Sequence, residues 1–415
     1  MVRHVFIWLH RWTGLAMAGF LIVVGVTGSL LAFKSELEHL ISPHLFATPR
    51  PGVAPLDLAT LAERAGPLVP QGQVASVTFA EPDQVRVGFS PRKDPATGKP
   101  YDLGFNQFFV DPWTGEELGR RRHGDISQGS INLIPFIYTL HYALALGMPG
   151  IWVLGIVALV WTLDCFVGFY LTLPVSSNAF WRRWESAWLI KRPARAFRLN
   201  FDLHRASGLW LWPILLIFAW SSVYMNLWDA VYTWATLAVL EYKAHWSELA
   251  PLPQPLENPR LDFRSALATG ERLMAEQATS HGFSVRRPVS LSFDSTDGVY
   301  HYTVRSSRDI EDRDKDAFFG GRTELYFDAR SGVLRLLLLP TGQYSGNTVT
   351  TWLYHLHMAN VFGLPWRIFV CVLGLAITML SVTGIYIWWK KRRARKLSAL
   401  HRGGGAAAAE SVAAE

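Results

Sequence analysis

Four histidines recur at matched places along this chain. His10 and His204 sit in the same short pattern, Leu9-His10-Arg11-Trp12-Thr13-Gly14-Leu15 and Leu203-His204-Arg205-Ala206-Ser207-Gly208-Leu209, 194 residues apart. His141 and His357 head a second one. Leu140-His141, Gly147, Pro149, Gly168 and Tyr170 return as Leu356-His357, Gly363, Pro365, Gly384 and Tyr386, all at an offset of 216. A neutral imidazole offers one ring nitrogen to a metal. Two such rings facing each other suit the axial positions of a haem iron. Gly14 and Gly208 follow their histidines by four residues, on the same helix face. A missing side chain there leaves room for a flat macrocycle, and Arg11 and Arg205 are placed to pair with its propionates. The plain alternative is a set of solvated helix-end histidines, with the glycines serving helix packing.

Two further residues invite chemistry. His355-Leu356-His357 puts two rings roughly 200° apart around a helix, so they cannot share one iron. The repeat favours His357 and leaves His355 as an alternative ligand, or as a proton or substrate contact. Zinc is disfavoured, because no His-x-x-x-His or carboxylate-supported cluster occurs. Asp164 lies deep in an apolar run, where a carboxylate is a functional candidate: a proton carrier, a quinol contact or a partner for a polar group. Its repeat mate is Leu380.

The elements that position these residues are membrane spans. The chain has 415 residues, 50% of them hydrophobic, with 18 Trp and 13 His. Four apolar stretches reach the ~20 residues a bilayer demands: Trp12 to Phe33, Ile151 to Leu173, Leu209 to Leu227 and Ile368 to Trp389. None shows an evident break. The first is too long for a signal peptide and no Ala-x-Ala-like site precedes Lys34, so it reads as an uncleaved span. Lys and Arg gather before span 1, between spans 2 and 3 and after span 4. The positive-inside rule then predicts both termini and the 174–205 loop in the cytoplasm. The two long outer segments, about 35–135 and 229–350, are acidic on balance, with 12 acidic against 9 basic residues and 16 against 13. The net charge of +7 therefore belongs to membrane flanks, and a nucleic-acid role falls away. Trp8, Trp12, Trp388 and Trp389 read as interfacial belt residues. Trp181–Trp188 reads as an amphipathic surface helix. The Gly/Ala-rich tail from Gly403 reads as disordered.

Each outer segment opens with a helical pattern, Asp57–Ala65 and Asp262–Gln277. Alternating runs follow: Val74–Phe79, Gln84–Phe89 and Phe105–Val110, then Val289–Phe293, Val299–Val304 and Glu324–Phe327. Each reaches an Asp-x-x-x-Gly turn, Asp111–Gly115 and Asp328–Gly332. The Asp- and Arg-rich stretch from Ser306 to Gly321 is expected to be a mobile excursion. The predicted fold is a mainly α membrane protein: four transmembrane helices in two tandem helix–domain–helix repeats, with two small α+β domains outside. Its segments are 1–34, 35–130, 131–173, 174–203, 204–228, 229–346, 347–390 and 391–415. Cys165 and Cys371 lie in apolar runs and form no disulfide framework or c-type haem motif. No dinucleotide fingerprint, Walker A loop or nucleophile elbow occurs, so electrons are expected from outside the chain.

The ordered, duplicated Leu-His-Arg-x-x-Gly-Leu, Leu-His…Gly-x-Pro and Gly-x-Tyr motifs resemble the PepSY-associated transmembrane family over residues 1–396. The likeness is to its bacterial iron-regulated inner-membrane members, which include siderophore–iron reductases. The resemblance implies four transmembrane helices, two periplasmic PepSY-like domains and two b-type haems per chain, with His10, His141, His204 and His357 as axial ligands. It implies reduction of Fe(III)-siderophore, or of another oxidised periplasmic substrate, with electrons from quinol or a cytoplasmic reductase. Trp246, Arg286 and Arg287 are candidates to hold an anionic ligand. Three rival functions remain: a non-enzymatic PepSY module that binds peptides or restrains a peptidase, a substrate transporter, and a haem oxidoreductase acting on copper or a small molecule.

Overall fold

The computed structural model describes residues 1–192, 194–312 and 321–412, without the side chains of residues 245–246 and 396–412. Trp246's side chain and residues 313–320 of the Asp/Arg-rich stretch therefore lie outside the described residues. The chain divides into a helical unit (Met1–Leu30, His141–Asn226, Val370–Glu415) and a sheet unit (Leu31–Leu140, Leu227–Phe369).

Apolar composition dictates the long helices. Helices α1 (Val2–Leu31), α5 (Met148–Thr172) and α13 (Gly363–Val412) are each long and apolar enough to cross a membrane. A fourth crossing exists only if α7 (Ala196–Trp210) and α8 (Trp212–Asn226) count as one span, and that pair is bent by 71°. The chain is thus a membrane protein with three or four candidate spans, and the unbroken third span expected from Leu209 to Leu227 is corrected. Pro213 gives the reason. It removes the N–H that a continuous helix would aim at the Leu209 carbonyl, and its ring crowds that turn. Leu211 N–H bonds back to Ser207 and Leu209 instead. At the repeat-related place α1 carries Gly19 and runs on. By itself α8 is about 22 Å long, short of the ~30 Å hydrocarbon core.

Small residues bring α1 and α13 together. A Cβ on Gly25 would meet the Gly374 carbonyl at 2.6 Å, and Ser29 Oγ donates to the Cys371 carbonyl at 2.8 Å. Gly25/Ser29 and Gly374/Thr378 are paired small residues four apart, which lets backbones touch. The helix α13 continues to Val412, whereas the tail from Gly403 is expected to be disordered; four successive alanines, the best helix formers, favour the continuation. The Trp-rich surface stretch forms a shorter helix than expected, α6 (Phe180–Glu185). Trp184 packs between Trp181 and Trp188, with ring centroids 5.7 and 5.3 Å away.

In the sheet unit, strands β1 (Gly72–Glu81), β2 (Gln84–Pro91), β3 (Gln107–Val110), β4 (Glu117–Arg121), β5 (Val285–Asp294), β6 (Val299–Ser306), β7 (Thr323–Asp328) and β8 (Leu334–Leu338) form one antiparallel sheet. The order is β4-β3-β2-β1-β5-β6-β7-β8. Where two separate small domains are expected, β1 and β5 pair directly, with Val77 opposite Leu291. Both side chains are fully buried. Helices α3 (Leu58–Ala65) and α11 (Phe263–His281) share a core with both halves, through Leu61, Ala62, Leu267 and Met274. Asp57 caps α3 by accepting from Ala59 and Thr60, and Asp262 caps α11 by accepting from Ser265. Arg264 joins the helices by bonding Glu63 at 2.7 Å.

Both Asp-x-x-x-Gly turns form as the sequence predicts. Asp111 and Asp328 accept from the two following-turn N–H groups, and Gly115 and Gly332 take φ of +70° and +71°. Shorter helices complete the chain: α2 (Lys34–Ile41), α4 (Leu133–Ala143), α9 (Thr233–Leu237), α10 (His245–Glu248) and α12 (Ser345–His357).

Candidate cofactor-binding site

The helical unit encloses a cavity of about 480 Å³, lined by residues of α1, α5, α7, α8 and α13. Its volume falls in the range of ordinary cofactor pockets. His10 and His204 both line it, as do Gly14, Gly208, Arg11, Arg205 and Asp164. The ring centroids of His10 and His204 are 6.2 Å apart, with planes at 58°.

Hydrogen bonds fix the tautomers. His10 Nδ1 lies 3.0 and 2.9 Å from the two oxygens of Asp164, and Thr13 Oγ1 stands 3.1 Å from the same carboxylate. His204 Nδ1 lies 3.0 Å from the Leu380 carbonyl, which can only accept, so Nδ1 carries the proton. Thr383 Oγ1, 3.1 Å away, spends its own proton on α13 carbonyls. His204 Nε2 is thereby left with the lone pair, and a neutral His10 that donates from Nδ1 to Asp164 keeps its Nε2 lone pair as well. A donated Nδ1–H with Nε2 kept for the metal is the arrangement seen around metal-bound histidines.

Packing fixes the ring positions. A Cβ on Gly168 would come within 3.5 Å of His10 Cε1, and one on Gly384 within 3.3 Å of His204 Cε1. These glycines are repeat mates, so each imidazole rests on the bare backbone of the helix that closes its own repeat. Gly14 opens onto free space, and Gly208 meets only Leu380 at 3.8 Å, as expected for residues that leave room.

The pair passes a test of fit to a haem iron. Two metal–nitrogen bonds of about 2.0–2.1 Å, each continued to its ring centre, span roughly 6 Å. The observed separation is 6.2 Å. Among the described residues no group of three or more His, Cys, Asp and Glu could hold a bare metal ion. A porphyrin supplies four ligands of its own, so two histidines suffice.

The arginines differ from each other. Arg205 bonds the buried Asp202 at 3.0 Å and the Ser186 carbonyl at 2.6 Å through Nη2, while its Nε has no partner among the described residues. Arg11 lines the cavity. Arg3, which the sequence did not single out, donates to the carbonyls of Leu171 and Leu173 and caps the end of α5.

His141 belongs to the helical unit and His357 to the sheet unit. His141 Nδ1 lies 2.9 Å from Thr27 Oγ1, whose proton goes to the Val23 carbonyl, and its ring sits over Gly28. His357 ends α12. His355 is fully buried. Its Nε2 lies 3.3 Å from the Gly321 carbonyl, its Nδ1 has no partner among the described residues, and burial lowers its pKa. In the described part of the Asp/Arg-rich stretch Ser306 and Glu311 are buried, while Ser307 and Asp312 are exposed. Glu311 bonds Arg305 at 2.5 Å and Arg322 at 2.7 Å, and burial raises the Asp309 carboxyl to about 6. Arg286 is exposed on β5, and Arg287 donates to the Pro288 carbonyl at 3.2 Å.

No curated protein matches this chain. A family model described as PepSY-associated TM region matches residues 7–391. That match takes in all four repeated histidines and nearly the whole length, and the chain belongs to the PepSY-associated TM region family.

Proposed function

We propose that this protein is a di-haem b electron-transfer enzyme of the inner membrane. In this reading two tandem helix–domain–helix repeats supply four spans, with both termini in the cytoplasm. The enzyme reduces Fe(III) held by a siderophore on the outer side and so releases Fe(II). The observation that carries the reading is the His10–His204 pair. The rings are 6.2 Å apart, each with Nδ1 tied to an acceptor, in a cavity opened by Gly14 and Gly208.

A haem supplies one-electron redox chemistry when bound. His10 and His204 would hold one through Nε2; His141 and His357 would hold a second, with His355 as the alternative to His357. Asp164 and the Leu380 carbonyl keep the Nδ1 protons in place. Leu21, Leu209 and Ile377 keep water from the cavity, and Arg11 offers a positive charge to an acidic substituent. Siderophores grip Fe(III) with hard oxygen donors and hold the softer Fe(II) less well. One electron, from quinol or a cytoplasmic reductase, is therefore enough to free the metal.

The test is an absorption spectrum of the detergent-purified protein, oxidised and then dithionite-reduced, with a haem-to-protein ratio. Two b-type haems with sharp low-spin bands support the reading. A protein without haem, made in cells able to supply it, overturns it. The 71° break between α7 and α8 favours a second reading, a transporter, since discontinuous helices often line substrate sites. That reading predicts substrate flux into liposomes with no electron donor present.

A further inference from the structure

The two cavity histidines are held by repeat-related positions with different chemistry. Residues 164 and 380 correspond across the 216-residue offset. Each accepts from the Nδ1 of one ring: Leu380 through its backbone carbonyl at 3.0 Å, Asp164 through its carboxylate at 2.9 and 3.0 Å. The hydrogen bond is preserved between the halves and the charge is not. Asp164 is 9% exposed, and a carboxylate inside an apolar span is costly. A neutral acceptor evidently suffices to orient a ring, because His204 has one. The negative charge therefore has a purpose other than orientation.

We propose that Asp164 is a positioning residue that makes the ligand pair unequal. It renders His10 the more electron-rich imidazole and thereby lowers the reduction potential of the haem between His10 and His204. A carboxylate behind a ligating histidine raises the basicity of its metal-bound nitrogen, and a more basic ligand favours Fe(III) over Fe(II). Thr13 Oγ1 stands beside the same carboxylate, 3.1 Å from it and 2.9 Å from the Leu9 carbonyl. The inference rests on the haem reading above.

The experiment compares the full-length wild type with D164N, D164E and D164L, each purified in detergent. It records haem-to-protein ratio, reduced spectrum and a potentiometric titration that resolves the two haems. D164N keeps an acceptor oxygen and the shape of the side chain but loses the charge. It is expected to retain both haems and their low-spin bands, with one potential shifted upward and the other unchanged. D164E is expected to return that potential toward wild type. D164L, the residue found at the repeat mate, removes the acceptor and is expected to weaken one haem about 10–100-fold.

A purely structural hydrogen bond would change melting temperature in D164N and leave both potentials alone, and that result overturns the proposal. Should D164L fail to fold, the potential of D164N decides. A loaded wild type with unshifted variants overturns only the role of Asp164. A wild type without haem overturns the haem reading together with this inference.

Discussion

Gly384 lies flat against the imidazole of His204, where a Cβ would stand 3.3 Å from Cε1, and Gly168 holds His10 the same way at 3.5 Å. Each contact joins the helix that opens a repeat to the helix that closes it. A single methyl group would be tight at Gly384 and an ordinary contact at Gly168, and at either place a branched side chain would drive the ring out of position. Gly384→Val and Gly168→Val are each expected to cost about 1–3 kcal/mol through overpacking and to remove one haem from the spectrum. Val at either position with full loading and an unchanged spectrum would refute this account of ring placement.

The continuous sheet predicts how the protein melts. Leu291 is fully buried opposite Val77 at the junction of the two halves. Leu291→Ala is expected to cost about 2–5 kcal/mol. The whole sheet unit should destabilise in one cooperative step, because α3 and α11 share one core. Two separate transitions by circular dichroism, only one of them shifted, would mean that the halves fold independently.

His123 predicts an acid-sensitive sheet unit. Its Nδ1 lies 3.2 Å from Gln107 of β3, and its ring packs edge-on to Tyr138 of α4. Burial, with Lys34, Arg121 and Arg86 nearby, pushes its pKa down to about 4. The unfolded chain binds the proton first, at the ordinary value near 6.5. Stability is therefore complete above pH 6.5 and declines as the pH falls toward 4, by roughly 3 kcal/mol. His123→Gln should flatten that window of the melting profile. An unchanged slope between pH 6.5 and 4 would assign the loss to other groups.

The crossing of α1 and α13 predicts a size limit. A side chain on Gly25 would run into the Gly374 carbonyl, which cannot move without displacing its helix. Gly25→Leu is expected to separate the two helices and lower yield and melting temperature sharply, while Gly19→Leu, which meets open space, is tolerated. Equal behaviour of the two variants in a detergent thermal-shift assay would argue against a close crossing.

The residues that could be read in advance are those whose signal is local or repeated. Hydropathy marked α1, α5 and α13, alternation marked β1 to β3 and β5 to β7, and Asp57 and Asp262 announced their helices. The histidine pair at positions 10 and 204 was legible because duplication marked it. What escaped depended on partners distant in sequence. Asp164 looked unrelated to symmetry, because its repeat mate is Leu380. The match lies between a side-chain carboxylate and a backbone carbonyl, and a comparison of residue types cannot register that. Pro213 was visible, yet its effect was hidden by the apolar residues on both sides. The strands β4 and β8 carry charged or unbroken apolar runs with no clean period, and the pairing of β1 with β5 is set by tertiary contact alone.

The junction between β1 and β5 also bears on how such a chain could arise. Each is ten residues long, while the outermost strands, β4 and β8, have five each. A lone half would carry its longest strand as an unpaired border, ready to zip onto an identical border on a second molecule. Duplication and fusion would turn that intermolecular seam into an internal one. The two halves would then be free to diverge at single positions, as at 164 and 380, which a symmetric dimer of identical chains can never do.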